Sequence, residues 1–230
     1  MSTAGVRAGR FVCLRHVRDL DRPFLYSMAT DPLVGARWRF RGVVPRPEAF
    51  ERLLWEGVLA QFVIEGTSDG IPRGVVTAYS ANMNSGTANV AVALSSAHIG
   101  RGFGVEASYL FCDYLFATWS LRKLYFEAPA FNCAQFQSAI GRFLHVEGVL
   151  RDHEYYGGRY WDSVLMALYR EDVERFVRTH PHLAGSTPRV DPKDHADTML
   201  VIENHTPIFS DDRDPLPTET GGRGSRRRGR

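Results

Sequence analysis

The sequence lacks any apolar run near the roughly 20 residues that a membrane-spanning helix needs, and no charged N-terminal segment precedes an apolar stretch. It also lacks a disulfide framework, because Cys13, Cys112 and Cys133 are odd in number and widely spaced, as is typical of reduced thiols in a cytoplasmic protein. Its eight histidines form no HExxH motif and its cysteines no CxxC motif, so we expect no metal site. A net charge of +2 over 230 residues predicts no general attraction to nucleic acid or membranes.

Residues 181–230 differ in composition from the rest of the chain. They are rich in proline, glycine, acid and threonine, and their two short apolar clusters, MLVI and PIF, cannot offset the cost of ordering. We predict a folded domain over residues 1–180 and a largely disordered tail over 181–230, with docking of MLVIENHTPIF on the domain as the alternative. The arginine-rich end, GGRGSRRRGR, is interpreted as a solvated terminus rather than an RNA or acidic-partner contact.

The folded part alternates between the apolar patterns of strands and of helices, which predicts an α+β domain. The turns TSDGIPR and NMNSGT indicate that the strands around them are antiparallel. Strands are predicted at RFVCLRHV, QFVIEG, GVVTAYSANM, ANVAVALS and KLYFEAP, and in a hairpin that turns at Gly157 and Gly158. Helices are predicted at DLDRPFLYSMAT with Asp19 as its cap, PRPEAFERLLWEGVLA, VEASYLFCDYLFATW, NCAQFQSAIGRFL with Asn132 as its cap, and REDVERFVRTH.

The stretch HIGRGFGVEASYLFCDYLF, residues 98–116, indicates an anion site. Gly100, Gly102 and Gly104 lead directly into an apolar helix, whose first turn offers unpaired backbone N–H groups to a phosphate. Gly102, Gly104 and Ala107 also satisfy the dinucleotide fingerprint, and Glu127 follows at about the expected separation of 20 residues.

The order of the elements argues against a dinucleotide. The fingerprint belongs directly after a buried parallel strand in a first βαβ unit, with further βα units to follow. Here it comes after antiparallel strands, and only one helix and a hairpin follow Glu127.

Four features together resemble the GNAT superfamily of acyl-CoA-dependent N-acyltransferases, in particular the group with the ribosomal-protein acetyltransferases RimJ and RimL. Gly102 and Gly104 fit the loop pattern (Q/R)xxGx(G/A), although Ile99 stands where Gln or Arg is usual. GVEA is close to the group's GTEA, Asn132 fits its NxxS segment, and EGVLRDHEYYGGRYWD is similar to its terminal hairpin. The resemblance covers roughly residues 10 to 175.

The resemblance implies the GNAT fold: a central, mixed, mostly antiparallel twisted sheet, flanked by helices, in which strands four and five of the family, here ANVAVAL and KLYFEAP, splay apart. Acetyl-CoA would lie in the resulting cleft as acyl donor. Its pantetheine arm would pair with the backbone of Val90, Val92 and Leu94, and its pyrophosphate with N–H groups of Arg101, Gly102, Phe103, Gly104 and Val105. Asn132 would bond to the arm, or would simply cap its helix.

The family's catalytic side chains are less well matched. Relatives use a direct attack by the amine, with a carboxylate or ordered water as base. This chain has Asn89, Gln135 and Ala139 where relatives often have Glu, Ser and Tyr. Glu127 is the leading candidate for the general base, with a solvated or salt-bridged glutamate as the alternative; weaker candidates for proton donation to the thiolate are Ser138, Cys133 and Tyr79.

The acceptor site of the family lies beside the first two helices and the terminal hairpin. The acceptor would be a primary amine of a small molecule or of a protein N-terminus. We expect the aromatic residues there to pack and one or two arginines to face the cleft. The candidates for acceptor binding are Arg37, Arg39, Trp55, Tyr155 and Tyr156.

Two functions are therefore compared: an acetyl-CoA-dependent N-acetyltransferase, and a catalytically inactive acyl-CoA-binding or interaction module of the same fold. The intact glycine loop favours the enzyme. We further expect a cytoplasmic protein without membrane partners, for which a homodimer is one expected assembly, and nucleic-acid contact only through the arginine-rich tail.

Overall fold

The computed structural model describes residues 6–179, so the predictions for the tail over 181–230 lie outside the described residues. The strands are β1 (Arg7–Ala8), β2 (Val12–His16), β3 (Val58–Gly66), β4 (Pro72–Asn82), β5 (Thr87–Leu94), β6 (Lys123–Pro129), β7 (His145–Tyr156) and β8 (Arg159–Tyr169). The α-helices are α1 (Arg22–Thr30), α2 (Pro32–Gly35), α3 (Pro47–Trp55), α4 (Phe103–Thr118) and α5 (Arg170–Thr179). Short 3-10 helices cover Asp19–Asp21, Ser96–His98 and Ala130–Phe136.

The strands form one eight-stranded sheet in the order β1-β2-β3-β4-β5-β6-β8-β7. Every neighbouring pair is antiparallel except β5 and β6, which are parallel. Their ladder is short: Thr87–Asn89 pair with Lys123–Tyr125, and the two strands separate beyond that point. The predicted α+β class and the splay between these two strands are confirmed.

The sheet buries a hydrophobic core on each face. Since side chains alternate along a strand, β5 sends Ala88 and Val90 to one face and Ala91 and Ala93 to the other. The first core packs against α4, which is apolar nearly all round and largely buried. The second packs against α1 and α3 and includes Trp38, which is 1 % exposed.

A buried carboxylate fixes the first turn of α4. Glu106 accepts hydrogen bonds from the backbone N–H groups of Arg10, Phe11 and Val12 at 2.6, 2.9 and 2.9 Å. These three bonds satisfy a charge that would be costly to bury alone, and they tie α4 to the turn before β2. The glycine-rich loop that precedes α4 is thereby anchored at its helical end.

Three local predictions are wrong at the ends of elements. Asp19 begins a 3-10 helix instead of capping α1, which starts at Arg22. The second predicted helix ends at Trp55, because Gly57 takes a positive φ of 65° and β3 follows from Val58. Its final residues Val58, Leu59 and Ala60 belong to β3.

Asn132 does not cap a helix. The segment after β6 forms a 3-10 helix, Ala130–Phe136, that starts directly after Pro129, so Asn132 lies inside it. The predicted α-helix NCAQFQSAIGRFL is consequently a 3-10 helix followed by turns.

None of the helices within residues 6–179 combines the length and the apolar character that crossing a membrane requires.

Candidate active site

A cavity of about 450 Å³ opens where β5 and β6 separate, and we call it the splay cavity. Its mouth is formed by the glycine loop and by residues of the 3-10 helix after β6. It continues between α4 and α5 on the α4 face of the sheet. The split in the sheet thus exposes backbone along β5 to a space large enough for an extended ligand.

The glycine loop stands at one end of this cavity. Gly100 and Gly102 have positive φ values of 79° and 82°, a region that residues with a Cβ atom avoid. Gly102 is the residue before α4, and the first N–H groups of a helix have no partner within it. Val105 is an exception, since its N–H donates to the Gly102 carbonyl at 3.2 Å.

The predicted phosphate-binding residues fall into two groups. Gly102, Gly104 and Val105 line the splay cavity. Arg101 is exposed and is not part of the cavity wall. The side chain of Phe103 turns away to the guanidinium of Arg73, which lies 4.0 Å from the centre of its ring, so only its backbone is left for an anion.

The walls of the cavity come from both sides of the split. Val92 and Leu94 of β5 line it, whereas Val90 is 4 % exposed and belongs to the core beside α4. Asn132 and Ser138 line the opposite wall. The structure therefore brings together most, though not all, of the predicted donor-binding residues.

Glu127 lies on the other face of the sheet. It follows Tyr125, the last β6 residue paired with β5, by two positions, and it is not part of the cavity wall. Its Oε1 accepts a hydrogen bond from the buried Ser163 hydroxyl at 3.2 Å and lies 3.3 Å from Arg41 Nη2. Arg41 Nη1 also lies 3.4 Å from Glu154 Oε1. We call these four residues the Arg41 cluster.

The backbone of Arg41 and one neighbouring residue, Tyr79, complete the description of the Arg41 cluster. Arg41 itself adopts a positive φ of 51°, which is unusual for a residue other than glycine. Tyr79 of β4 faces the same side, and burial raises the pKa of its hydroxyl while the charge of Arg41 opposes that rise. Tyr79 therefore stays protonated at neutral pH and can donate a hydrogen bond.

One group of potential metal ligands occurs within residues 6–179. Ligand atoms of Glu127, His153 and Glu154 lie within 4.8 Å of one another. The guanidinium of Arg41 already contacts both carboxylates, and a cation would have to displace it. The expectation of no metal site stays a prediction.

Among the predicted acceptor residues, Arg37 and Arg39 have different surroundings. Arg37 is exposed and lines the splay cavity. Arg39 instead donates to the carbonyls of Leu53 and Glu56, the latter at 3.1 Å, and burial lowers the pKa of its guanidinium. It joins the loop to the end of α3 and does not line the cavity.

The predicted aromatic residues also differ in location. Tyr156 stacks on Phe131 with ring centres 5.1 Å apart, and its hydroxyl donates to the Pro32 carbonyl at 3.4 Å. Tyr155 packs edge-on against Tyr160 on the same hairpin. Trp55 is 47 % exposed and lines a separate cavity of about 80 Å³, so the structure does not bring it to the splay.

Sequence reasoning missed Arg41, Glu154 and Ser163. The first two lie close to predicted acceptor residues, because Arg41 follows Arg39 by two positions and Glu154 directly precedes Tyr155. Arg41 lies 86 residues from Glu127 and 113 residues from Glu154 in the sequence, and no local pattern predicts such pairings.

An eight-stranded sheet that splits between two parallel neighbours beside a glycine-rich helix N-terminus is the GNAT fold. The family model described as "Acetyltransferase (GNAT) domain" matches residues 12–138, and the chain belongs to this family. No curated protein matches the chain.

Solved structures share this fold at low sequence identity. A spermidine N-acetyltransferase from Vibrio cholerae, in complex with CoA and spermine, is 20 % identical, with a TM-score of 0.63 over 71 % of this chain and 98 % of that one. A GNAT-family acetyltransferase from Bacillus anthracis is 16 % identical, with a TM-score of 0.60 over 72 % of this chain and 98 % of that one. At these identities the likeness establishes the fold alone.

Proposed function

We propose that the chain is an N-acyltransferase that transfers an acyl group from acetyl-CoA to a primary amine of a small molecule or a protein N-terminus. The observation that carries this proposal is the splay cavity, which joins a glycine-rich helix N-terminus to the unpaired edge of β5. This combination suits a ligand with a phosphate at one end and an amide-bearing arm at the other.

In this proposal the CoA pyrophosphate lies against the backbone of Gly102 and Gly104, with Arg101 adding positive charge. The pantetheine arm pairs with the backbone around Val92 and Leu94, as an added strand would. Asn132, on the facing wall, supplies a side-chain hydrogen bond to the arm. The thioester then lies near the point where β5 and β6 meet.

The acceptor approaches from the face that carries the Arg41 cluster. Its neutral nitrogen attacks the thioester carbon, the C–N bond forms and the C–S bond breaks. Glu127 takes the proton released by the amine, and the departing thiolate is protonated from the cavity side, where Ser138 has a hydroxyl. The products are an amide and CoA with a free thiol.

The Vibrio cholerae structure of the same fold, a spermidine N-acetyltransferase in complex with CoA and spermine, supports both the donor and an amine acceptor. Two carboxylates in the Arg41 cluster are compatible with a cationic acceptor. We also propose membership of the RimJ and RimL group from the motifs, the domain limits from composition, and a cytoplasmic location from the cysteine usage, with a homodimer as one assembly.

The second candidate is a CoA-binding module without activity. It is favoured by Asn89, Gln135 and Ala139, which replace side chains that relatives often use in catalysis. The two functions differ in whether bound acyl-CoA is consumed when an amine is present.

The test is release of CoA thiol from acetyl-CoA in the presence of a panel of N-terminal peptides, amino sugars and polyamines, with the amide product identified by mass spectrometry. We expect amine-dependent thiol release with at least one panel member. Binding of acetyl-CoA without acylation of any member would favour the inactive module. Absence of binding at millimolar acetyl-CoA would contradict both.

A further inference from the structure

The splay cavity extends beyond the walls assigned to the CoA arm. Its far end is lined by Tyr109 and Cys112 of α4, Leu168 of β8, and Val173 and Phe176 of α5. Gly104 and Cys112 are eight positions apart on one helix, which corresponds to about 12 Å along its axis. The cavity therefore continues well past the glycine loop, into the core beneath α5.

This far end is apolar. Cys112 is 1 % exposed, Val173 6 % and Leu168 8 %. Burial raises the pKa of the Cys112 thiol, which stays uncharged. A pantetheine arm carries two amides that need hydrogen-bond partners, and the unpaired edge of β5 offers a row of them.

The charged residue at this end is already paired. Asp172 accepts hydrogen bonds from the Tyr169 N–H at 3.2 Å and from His145 Nε2 at 2.9 Å, and it pairs with Arg175. Its carboxylate thus needs no further partner from a ligand.

The splay cavity as a whole, about 450 Å³, is large compared with the voids of a protein interior. Cores keep few voids bigger than one water molecule, and one water occupies about 30 Å³ in the liquid. Waters in the far end would find few polar partners, whereas an alkyl chain would restore the missing dispersion contacts.

A small residue and an irregular segment create this room. Ala139 contributes only a methyl group to the wall, and it lies after the 3-10 helix Ala130–Phe136. Phe136 precedes Ala139 in the sequence and Phe143 follows it, and both residues also line the cavity. A larger side chain at position 139 would fill part of the cavity beside Phe136 and Phe143.

We propose that the far end of the splay cavity binds the alkyl chain of the acyl donor, and that the preferred donor is a straight-chain acyl-CoA longer than acetyl-CoA. This inference rests on the proposed function and changes only the acyl group. The same C–N bond forms and the same C–S bond breaks.

The first test measures the dissociation constants of CoA, acetyl-CoA, butanoyl-CoA, hexanoyl-CoA and octanoyl-CoA with the full chain by isothermal titration calorimetry. Each buried methylene should tighten binding by about fourfold, given the transfer free energy of a methylene group. Octanoyl-CoA that binds no more tightly than acetyl-CoA would overturn the inference and leave the proposed function intact. Failure of every member to bind would instead remove the proposed function.

The second test narrows the splay cavity with the substitution Ala139→Phe. We expect the affinity for octanoyl-CoA to fall by at least about tenfold, the loss of roughly two buried methylenes, with acetyl-CoA affinity unchanged. The matched control is Ala134→Phe, because Ala134 is exposed in the same segment and does not line the cavity. Equal losses for both donors in Ala139→Phe, or no loss for either, would contradict the assignment. If this variant does not fold, the chain-length series on the unmodified protein decides alone.

Discussion

Beyond the paired residues of β5 and β6, the two faces of the sheet carry different side chains. On the α4 face, the splay cavity is bordered by Phe126, Cys112 and Leu168. On the opposite face, the Arg41 cluster gathers one guanidinium, two carboxylates and a hydroxyl. Phe126 and Glu127 are consecutive in β6, yet one borders the apolar cavity and the other belongs to the polar cluster.

This difference follows from the alternation of side chains along a strand. Where β5 and β6 are paired, the sheet separates the two environments completely. Beyond Asn89 and Tyr125 the strands are no longer paired, and a group placed in the split can reach both the cavity and the Arg41 cluster. An apolar side suits the retention of a thioester, and a polar side suits removal of a proton from an amine. The following variants test that division.

Glu127→Gln should have the largest effect. It keeps the shape of the side chain but removes the proposed base, so we expect kcat to fall by about 100-fold, within the range for a general base, with unchanged acyl-CoA affinity. Steady-state kinetics with the best acceptor and calorimetry with the donor would measure the two quantities. Glu154→Gln is the matched control, because it also loses a contact to Arg41 but is not the proposed base. Equal losses in the two variants would assign Glu127 a structural role.

Gly102→Val should weaken the donor side alone. The new side chain is strained at a φ of 82° and would disturb the N–H groups that face the pyrophosphate, so we expect the dissociation constant for CoA to rise about tenfold. Gly70→Val is the control, because Gly70 has a φ of 66° in a turn between β3 and β4 and also has no atom within 4 Å of a new Cβ. Both variants should lose similar stability, whereas a matching loss of CoA affinity in Gly70→Val would contradict the assignment.

Arg41→Ala should have the smallest effect, mainly on stability. The guanidinium is partly buried between Glu127 and Glu154, and its loss leaves two carboxylates facing each other. We expect a cost of about 1 kcal/mol, which corresponds to a fall in Tm of roughly 3 °C for a domain of this size. Arg22→Ala removes an exposed pair with Glu51 and should change Tm by less than about 1 °C. Thermal denaturation of both variants checks the difference, and equal shifts would show that the Arg41 cluster is an ordinary surface network.

The strands were the most predictable part of the fold. The segment KLYFEAP is β6 to the residue, and the hairpin turns at Gly157 and Gly158 as predicted. Local turn residues and alternating apolar positions determine these features, and both can be read in short windows of sequence.

The site was only partly predictable. The glycine loop has a local signature, and the structure places Gly102 and Gly104 at the cavity. Glu127 was named from its strand, but its partners Arg41 and Ser163 come from distant segments that only the tertiary fold brings together. Trp55 shows the converse, because an aromatic residue inside a predicted helix gave no indication that it would remain 47 % exposed.

The central claim is that CoA lies in the split between β5 and β6. Amide hydrogen exchange with and without saturating acetyl-CoA tests it most directly, because it reports on individual backbone segments. We expect bound acetyl-CoA to slow exchange in residues 90–94 of β5 and residues 100–105 of the glycine loop, with little change in the turn around Gly70. Unchanged exchange in both segments at millimolar acetyl-CoA would contradict it.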